Sequence, residues 1–222
     1  MSMVKEAALA RAAGIRQRGD RPSQRRNAEH GSTFRASFSA RVELRAKADS
    51  GLLLFEGLAS ATERAYDMWD MWGPYSEIVS AGAFADTLAR ADLDVPLVLG
   101  HDQLRRIART TTGTLHLEET PEGLRVSAEL DPADPDVAYI APKLRAGLID
   151  EMSFAFRIES GQWSPDYSEF RINRAELHRG DVAIVGFGAN PYTDAGLRSA
   201  PEPPQRAAVR PEMGRLLEFQ RI

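Results

Sequence analysis

The stretch Leu148-Ile-Asp-Glu-Met-Ser-Phe-Ala-Phe-Arg-Ile158 has the alternation of a β-strand that is entered from a turn. Because side chains on a strand point to its two faces in turn, one face carries only large apolar groups, from Phe154, Phe156 and Ile158. The other face carries a hydroxyl, a methyl and a cation, from Ser153, Ala155 and Arg157. The apolar face needs a core, and the small face leaves room for a substrate backbone beside the serine. A half-buried strand with a serine on its polar side accounts for the same pattern without a function.

Length and composition indicate one globular domain, alone or with tails. The chain has 222 residues, of which 43% are hydrophobic and 27% are charged, the balance found in ordinary folded proteins. The net charge of −4 gives no overall attraction to nucleic acid or to an anionic membrane, and we expect neither as a partner.

Three features that the sequence lacks indicate the cellular compartment and exclude some kinds of chemistry. The chain has no cysteine, which excludes disulfides, thiolate nucleophiles and cysteine-ligated zinc, and which fits a reducing compartment. No apolar run approaches the roughly 18 residues of a membrane-spanning helix, and the N-terminus lacks the apolar segment of a secretory signal. A cytosolic protein, or one active inside a cytosolic assembly, is therefore expected.

Charge and proline content divide the chain into three parts. Residues 1–35 are rich in arginine and lose all periodicity after Gly19, which predicts a flexible N-terminal arm with a short helix over residues 4–15. Residues 197–222 are rich in proline and arginine and are predicted to be a C-terminal tail. The folded domain is accordingly expected to span residues 36–196. The arm is either a solvated tail or a docking or removable segment.

Between the arm and the tail, about eight short strands are predicted. Residues 34–44 alternate, residues 95–100 form a continuous apolar run typical of a strand buried on both faces, and residues 113–130 form a hairpin. No βαβ alternation and no phosphate-binding glycine motif occur. We therefore expect a mainly β fold, an antiparallel barrel or sandwich with helices on its outside.

Two helices and one irregular segment complete the predicted elements. Helices are expected over residues 80–91 and 137–146, and Gly147 is a suitable residue to end the second. Residues 65–75 contain tryptophan and tyrosine without a clean period. We interpret them as an aromatic loop that serves either binding or as a lid over the core.

Residues at three strand ends are candidates for a catalytic group. His101 ends the apolar strand, Ser153 lies near the start of its own strand, and acids lie at residues 176–181. A serine is a weak nucleophile unless a base accepts its proton, and histidine suits that role because it titrates near neutral pH. A third group improves the base by fixing its tautomer. The simple alternative is that any β protein of this size contains a serine, a histidine and an aspartate.

A metal site is the rival interpretation of the same region. Nitrogen and oxygen ligands are available from His101, Asp102, His116, His178 and Asp181. Their spacing matches no metal motif, since HExxH is absent and His178 and Asp181 lie three positions apart in an apparent turn. We therefore expect no metal and no other cofactor.

Five short motifs follow one another in an order typical of a single family. They are Phe55-Glu-Gly-Leu-Ala59, Glu77-Ile-Val-Ser-Ala-Gly-Ala-Phe84, Val95-Pro-Leu-Val-Leu-Gly-His-Asp102, Leu144-Arg-Ala-Gly-Leu-Ile-Asp-Glu-Met-Ser-Phe-Ala-Phe156 and Asp181-Val-Ala-Ile-Val-Gly-Phe-Gly-Ala-Asn-Pro191. Together they resemble the prohead maturation proteases of tailed bacteriophages, the HK97-type caudovirus prohead serine proteases, which are related to herpesvirus assembly proteases. The resemblance covers residues 53–192, most of the expected folded domain.

The resemblance implies a fold and a set of catalytic roles. The implied fold is a closed antiparallel β-barrel of the herpesvirus-protease type with peripheral helices. The implied roles are nucleophile for Ser153, base for His101 and third member for Asp181. Glu176 and His178 are alternative candidates for the third position.

The sequence departs from the family pattern after the last core strand. Many members have Thr-Phe-Pro where this chain has Gly-Phe-Gly at residues 186–188, and no arginine follows to serve an oxyanion hole. We expect the backbone N–H groups of residues 186–189 to be the oxyanion donors, because glycine lets a substrate carbonyl come close.

The resemblance further implies a serine endopeptidase of the Ser-His-Asp/Glu type, acting inside the assembling phage prohead in the host cytoplasm. Its implied substrates and partners are the major capsid protein, the scaffolding segment of that protein and the protease itself, as a homodimer and as a target of self-cleavage. The alternative is a catalytically inactive capsid-assembly scaffold protein with the same fold. The tails and the aromatic stretch would support this alternative.

Overall fold

The computed structural model describes residues 2–18, 43–46 and 51–186, and within these ranges the chain is mainly β, as predicted. The strands are β1 (Glu43–Ala46), β2 (Leu53–Ala61), β3 (Tyr66–Asp70), β4 (Gly73–Val79), β5 (Pro96–Leu99), β6 (Asp102–Arg109), β7 (Leu115–Thr120), β8 (Gly123–Leu130), β9 (Glu151–Trp163) and β10 (Glu169–Val185). The helices are α1 (Met3–Arg18), α2 (Ala85–Leu88) and α3 (Pro135–Arg145). None of these helices is long and apolar enough to cross a membrane. Both expected domain boundaries, after residues 35 and 196, lie outside the described residues, as does most of the strand expected over residues 34–44.

The described strands form two open sheets, so the expected closed antiparallel β-barrel is wrong. One sheet has the strand order β1-β2-β8-β7, and the other has the order β3-β4-β10-β5-β6 with β9 paired to β10. Neither order returns to its first strand, which a barrel requires. The pairing is also not purely antiparallel, because β10 runs parallel to β4 and to β5.

The length of β10 explains this arrangement. One edge of β10 pairs antiparallel with β9 along most of its length. The other edge is shared, with β4 beside residues 169–172 and β5 beside residues 182–184. Alternation of apolar residues shows which face of a strand is buried, but pairing partners depend on contacts that are distant in sequence. The period of two was therefore compatible with both a closed and an open sheet.

The apolar face of β9 is buried, as the alternation predicts. Phe154, Phe156 and Ile158 all belong to the main core cluster. Phe154 stacks on Phe156 with ring centroids 4.4 Å apart, and Phe84 meets its ring edge-on at 5.7 Å. Burial of each such side chain contributes roughly 1.5–3 kcal/mol to stability. The core therefore holds β9 with its small face directed outward.

Helix α3 leads into β9 and has well-defined ends. Asp134 caps its first turn, because one carboxylate oxygen accepts hydrogen bonds from the N–H groups of Asp136 and Val137, with Pro135 at the first helical position. Gly147 follows the helix with a φ of 63°, which confirms the predicted terminating glycine. Asp136 also pairs with Arg105 of β6 at 2.6 Å, and this pair ties the start of α3 to β6.

The stretch interpreted as an aromatic loop is instead the hairpin of β3 and β4. Asp70 closes the turn, because its Oδ1 accepts hydrogen bonds from the N–H groups of Trp72 at 2.9 Å and Gly73 at 3.2 Å. Helix α1 packs against this hairpin so closely that a Cβ atom at Gly73 would lie 2.9 Å from the methyl carbon of Ala7. A helix that is distant in sequence thus covers part of the hairpin.

Arg11 of α1 connects this hairpin to the β9–β10 turn through a fully buried guanidinium. Its nitrogens bind both carboxylate oxygens of Asp70, at 2.7 and 3.0 Å, and donate to the carbonyl of Tyr167 at 2.6 Å. The guanidinium also lies between two aromatic rings, 5.0 Å from the centroid of Tyr75 and 4.7 Å from that of Trp163. Cation–π attraction strengthens as the cation is desolvated, so this contact is favourable in the buried site.

Replacing Arg11 with Ala should lower the free energy of unfolding by about 3 kcal/mol, because Asp70 and a buried carbonyl lose their donor. Urea unfolding of the full chain measures this loss. Lys5→Ala is the matched control, since Lys5 is exposed on the same helix, and its effect should stay within about 0.5 kcal/mol. Equal stabilities for the two variants would contradict the role assigned to the buried arginine.

Candidate active site

The small face of β9 lies beside the last part of β10. Ser153 is opposite Ala183, and Ala155 is opposite Asp181. Paired residues on antiparallel strands share a face, so Ser153 and Asp181 are diagonal neighbours on the outer side of the sheet. The Cα atoms of such neighbours lie about 7–8 Å apart. A gap of that size fits an imidazole ring between a hydroxyl and a carboxylate.

His101 reaches this gap from the end of β5. The chain reverses there through two residues with left-handed backbone, Gly100 with φ 62° and His101 with φ 61°. The N–H of Gly100 donates to the carbonyl of Ile184 at 2.9 Å, which ties the turn to β10. A left-handed conformation costs a histidine roughly 1–2 kcal/mol. The surrounding hydrogen bonds maintain it, and it directs the imidazole toward Asp181.

The structure joins His101 and Asp181 directly, with Nδ1 2.6 Å from Oδ1. The carboxylate is buried, whereas the imidazole is partly exposed. Because an ionised carboxylate only accepts hydrogen bonds, the proton on a neutral His101 lies on Nδ1 and the lone pair lies on Nε2. The pair thus presents a proton acceptor at the exposed side of the ring.

Gln103 completes the surroundings of the carboxylate and was not predicted from the sequence. Its Nε2 donates to Oδ2 of Asp181 at 2.6 Å. Both carboxylate oxygens therefore have a partner, and the carboxylate is held in one orientation. The available signal was proximity in sequence, because Gln103 lies two residues after His101.

Ser153 is half-buried on the outer face of β9. Among the described residues, no hydrogen bond joins its hydroxyl to His101. Hydrogen bonds between catalytic groups are often long without substrate and tighten in the complex. What the sheet supplies is the register, which places the hydroxyl diagonally from Asp181 on the same face.

The alternative third members, Glu176 and His178, have partners elsewhere. Glu176 accepts hydrogen bonds from the Thr87 hydroxyl at 2.6 Å, from Arg90 at 3.1 Å and from the N–H of His178 at 2.7 Å. Burial raises the pKa of Glu176, but these hydrogen bonds and the charge of Arg90 outweigh it and hold the pKa below its ordinary value. The ring of His178 accepts from the N–H of Asp94 at 3.2 Å. Neither side chain makes a described hydrogen bond to His101.

A local excursion of β10 separates Glu176 from Asp181. Glu176 pairs with Arg157, and Asp181 pairs with Ala155. Asp181 is therefore five positions after Glu176 on β10, whereas their partners are only two positions apart on β9. The three additional residues leave the ladder, as in a large β-bulge. Asp181 therefore resumes the outer face at the position that His101 reaches.

Two further predictions concern this region, the rival metal site and the donors of the oxyanion hole. Within the described ranges, no three His, Asp or Glu side chains are grouped as metal ligands. His116 lies in β7 of the other sheet, so the residues of the rival metal site are not brought together. Of the expected oxyanion donors at residues 186–189, only Gly186 belongs to the described part of the chain.

Comparison with known proteins identifies the family. A family model described as caudovirus prohead serine protease matches residues 40–203, which is well over half of the chain. Searches of curated proteins and of solved structures gave no match. The match includes the β5–β6 turn that carries His101 and the strands that carry Ser153 and Asp181, and it confirms the family predicted from the five motifs. The chain is thus a serine protease of phage capsid maturation and belongs to the caudovirus prohead serine protease family.

Proposed function

We propose that the chain is a serine endopeptidase in which Ser153 is the nucleophile, His101 is the general base and Asp181 orients His101. The observation that carries the proposal is the 2.6 Å contact between Nδ1 of His101 and Oδ1 of Asp181, diagonal to Ser153 on the outer face of the sheet. The family supplies the reaction class, which is peptide-bond hydrolysis by a serine protease.

In the proposed mechanism, Ser153 Oγ attacks the scissile carbonyl while Nε2 of His101 accepts the hydroxyl proton. The resulting imidazolium is stabilised by Asp181, which stays ionised because Nδ1 keeps its proton. The tetrahedral intermediate collapses when His101 gives its proton to the leaving amine, and an acyl-enzyme remains on Ser153. Water then attacks the ester with His101 again acting as base, which releases the second product and restores the serine.

The surroundings of each residue support its role. Gln103 donates to the second oxygen of Asp181 and so keeps the first oxygen directed at His101. Ala155, one position beyond Ser153 on the same face, presents only a methyl group to a substrate. Phe154 anchors the strand between them in the core. The nucleophile thus stands on a rigid strand with an uncrowded approach.

The proposed substrates are the major capsid protein precursor, its scaffolding segment and the protease's own tails, processed inside the assembling prohead. The family establishes a role in capsid maturation, and an endopeptidase confined with precursor subunits encounters their scaffolding segments at high local concentration. The Arg-rich residues 1–35 and the Pro- and Arg-rich residues 197–222 are the proposed self-cleavage segments. An inactive scaffold protein is not favoured, because all three catalytic residue types are retained and two of them are in contact.

Co-expression with the capsid precursor tests the substrate assignment. Intact-mass measurements should show a shortened capsid protein and a protease that has lost terminal segments. A precursor that stays full length beside a protease active on peptides would contradict the assignment of substrate. A protease that keeps both termini while it processes the capsid protein would contradict self-cleavage.

A further inference from the structure

A polar cavity of about 260 Å³ lies next to the His101–Asp181 pair. Its lining comes from β6, from the start of β5 and from the excursion of β10, and consists of Asp94, Pro96, Gln103, Arg106, Arg109, Arg179 and Gly180. Gln103 is shared between this cavity and the candidate active site, since its amide nitrogen contacts Asp181. The cavity is therefore a direct neighbour of the catalytic residues on the β6 side.

Positive charge in this cavity exceeds negative charge. Arg109 forms a two-fold contact with Asp94, at 2.6 Å for both nitrogen–oxygen pairs, and this contact holds the pKa of Asp94 below its ordinary value. Among the described residues, Arg106 donates only to the carbonyl and the side-chain oxygen of Gln103, at 2.8 and 3.2 Å. The side chain of Arg179 makes no hydrogen bond to any described residue. Of the three arginines that line the cavity, Arg106 and Arg179 therefore contact no carboxylate of a described residue.

The excursion of β10 holds Arg179 at the cavity in a constrained conformation. Arg179 has a φ of 61°, a left-handed value that a residue with a side chain adopts only when its surroundings impose it. Its N–H donates to the carbonyl of Asp94 at 2.8 Å. The next residue, Gly180, lies so close to β9 that a Cβ atom there would be 1.9 Å from the carbonyl oxygen of Ala155. These contacts fix the backbone from which the guanidinium projects.

Strand register connects the cavity to the nucleophile. Ser153 is opposite Ala183, Ala183 is beside Val98, and Val98 is opposite Arg106. Paired residues share a face, so this row runs across one side of the sheet from Ser153 to Arg106. Three strand spacings of about 4.8 Å give a distance of about 14 Å, which an extended peptide covers in about four residues.

We propose that Arg106 and Arg179 form a subsite for a carboxylate side chain of the substrate, an aspartate or glutamate that lies three to five residues from the scissile bond. This inference rests on the proposed function and names the class of peptide that the site accepts. A guanidinium binds a carboxylate through paired, charge-assisted hydrogen bonds, and both guanidiniums have donors to spare.

A substrate carboxylate bound in the subsite is also connected to the catalytic pair of His101 and Asp181. A substrate carboxylate bound to Arg106 would contact a side chain that already donates to Oε1 of Gln103. The amide of Gln103 in turn donates to Asp181, and Asp181 contacts His101. A continuous row of polar contacts therefore links the substrate carboxylate to the general base. Gln103 is accordingly a positioning residue for Asp181.

A protein segment fits the cavity better than nucleic acid does. Nucleic acid is bound through basic stripes that follow many phosphates, whereas the arginines of this cavity lie beside Asp94, which lines it, and near Asp181, which contacts Gln103. The chain as a whole carries a net charge of −4, which gives no general attraction to a polyanion.

Peptide profiling of the purified full chain tests the subsite. The probe is a library of chymotryptic peptides from a bacterial lysate, with blocked amines so that new N-termini report cleavage by mass spectrometry. The wild type should enrich Asp or Glu at one position three to five residues from the cleaved bond. The double variant Arg106→Gln/Arg179→Gln should lose that enrichment, and Arg106→Glu should replace it with an enrichment of Arg, whose guanidinium the blocking of amines leaves intact. Arg125→Glu, which changes the charge by two units as each of these variants does but on an exposed residue of the other sheet, should keep the wild-type profile.

A matched pair of synthetic peptides makes the effect quantitative. The best library substrate is compared with its Glu→Gln counterpart at the enriched position. The wild type should favour the glutamate peptide about tenfold in kcat/KM, and the double variant should bring this ratio close to one. Equal melting temperatures of the variants establish that folding is unchanged.

The outcomes separate this inference from the function on which it rests. Cleavage that requires Ser153 but shows no acidic preference, or a preference that survives in the double variant, overturns the subsite alone. Binding of a short single-stranded DNA that is lost in the double variant, without any acidic preference in cleavage, overturns it in favour of nucleic acid. Absence of any cleavage that requires Ser153 overturns the proposed function and the subsite together.

Discussion

Replacing Ser153 with Ala should abolish cleavage of the capsid precursor and leave the melting temperature unchanged. The hydroxyl makes no hydrogen bond to His101 in the described structure, so its loss removes no contact that supports the fold. The chemical step, in contrast, loses the atom that forms the acyl-enzyme. Removal of a serine nucleophile lowers kcat by about 10⁴-fold or more, because only binding and oxyanion stabilisation remain.

Gel or intact-mass analysis of precursor co-expressed with each variant measures this effect. Ser160→Ala is the matched control, because Ser160 is an exposed serine on the same strand, and it should process the precursor like the wild type. Complete processing by the Ser153→Ala variant would refute the assignment of the nucleophile. It would also redirect the search to another hydroxyl within reach of His101.

Replacing Asp181 with Asn should lower kcat by about 10⁴-fold, the effect expected when the orienting carboxylate of a triad becomes an amide. An amide NH₂ in place of Oδ1 would favour the tautomer with its proton on Nε2, and His101 would then have no lone pair for the serine proton. The fold should tolerate the change, because Asn has the shape of Asp and Gln103 remains close to one of its terminal atoms.

Glu176→Gln is the control for Asp181→Asn. Glu176 is buried on the same strand, but its hydrogen bonds go to Thr87, Arg90 and the N–H of His178. Its replacement should weaken stability while changing kcat on a peptide substrate only severalfold. Measurements of kcat and KM below the melting temperature of each variant separate the two effects. A larger loss of kcat for Glu176→Gln than for Asp181→Asn would transfer the orienting role to Glu176.

The local features of the fold could be predicted because neighbouring residues determine them. The alternation of Phe154, Phe156 and Ile158 indicated the buried face of β9, and the structure buries all three. The hairpin of β7 and β8 closes where turn residues occur, with Thr120 paired to Gly123. Gly147 ends α3 in the left-handed conformation expected of a terminating glycine.

Features that depend on distant residues were missed or wrong. The two open sheets exist because β10 pairs with three different strands, and no local period reports such partners. The composition of residues 1–35 predicted that Arg11 lies in a flexible arm. Its guanidinium is instead fully buried between Tyr75 and Trp163. The partners that make this burial favourable lie more than 50 positions away in sequence. Only the folded chain brings them together.

For the candidate site, the sequence by itself determined the residue types, their order and the family. It also determined the face of β9 that carries Ser153, since alternation is a property of the strand alone. The tertiary structure decided which acid meets His101. The excursion of β10 after Glu176 adds three residues to the strand, so Asp181, rather than Glu176, lies 2.6 Å from the imidazole. The reason is physical, because a hydrogen bond between side chains 80 positions apart depends on how the strands are aligned, and that alignment is set by the packing of the whole sheet.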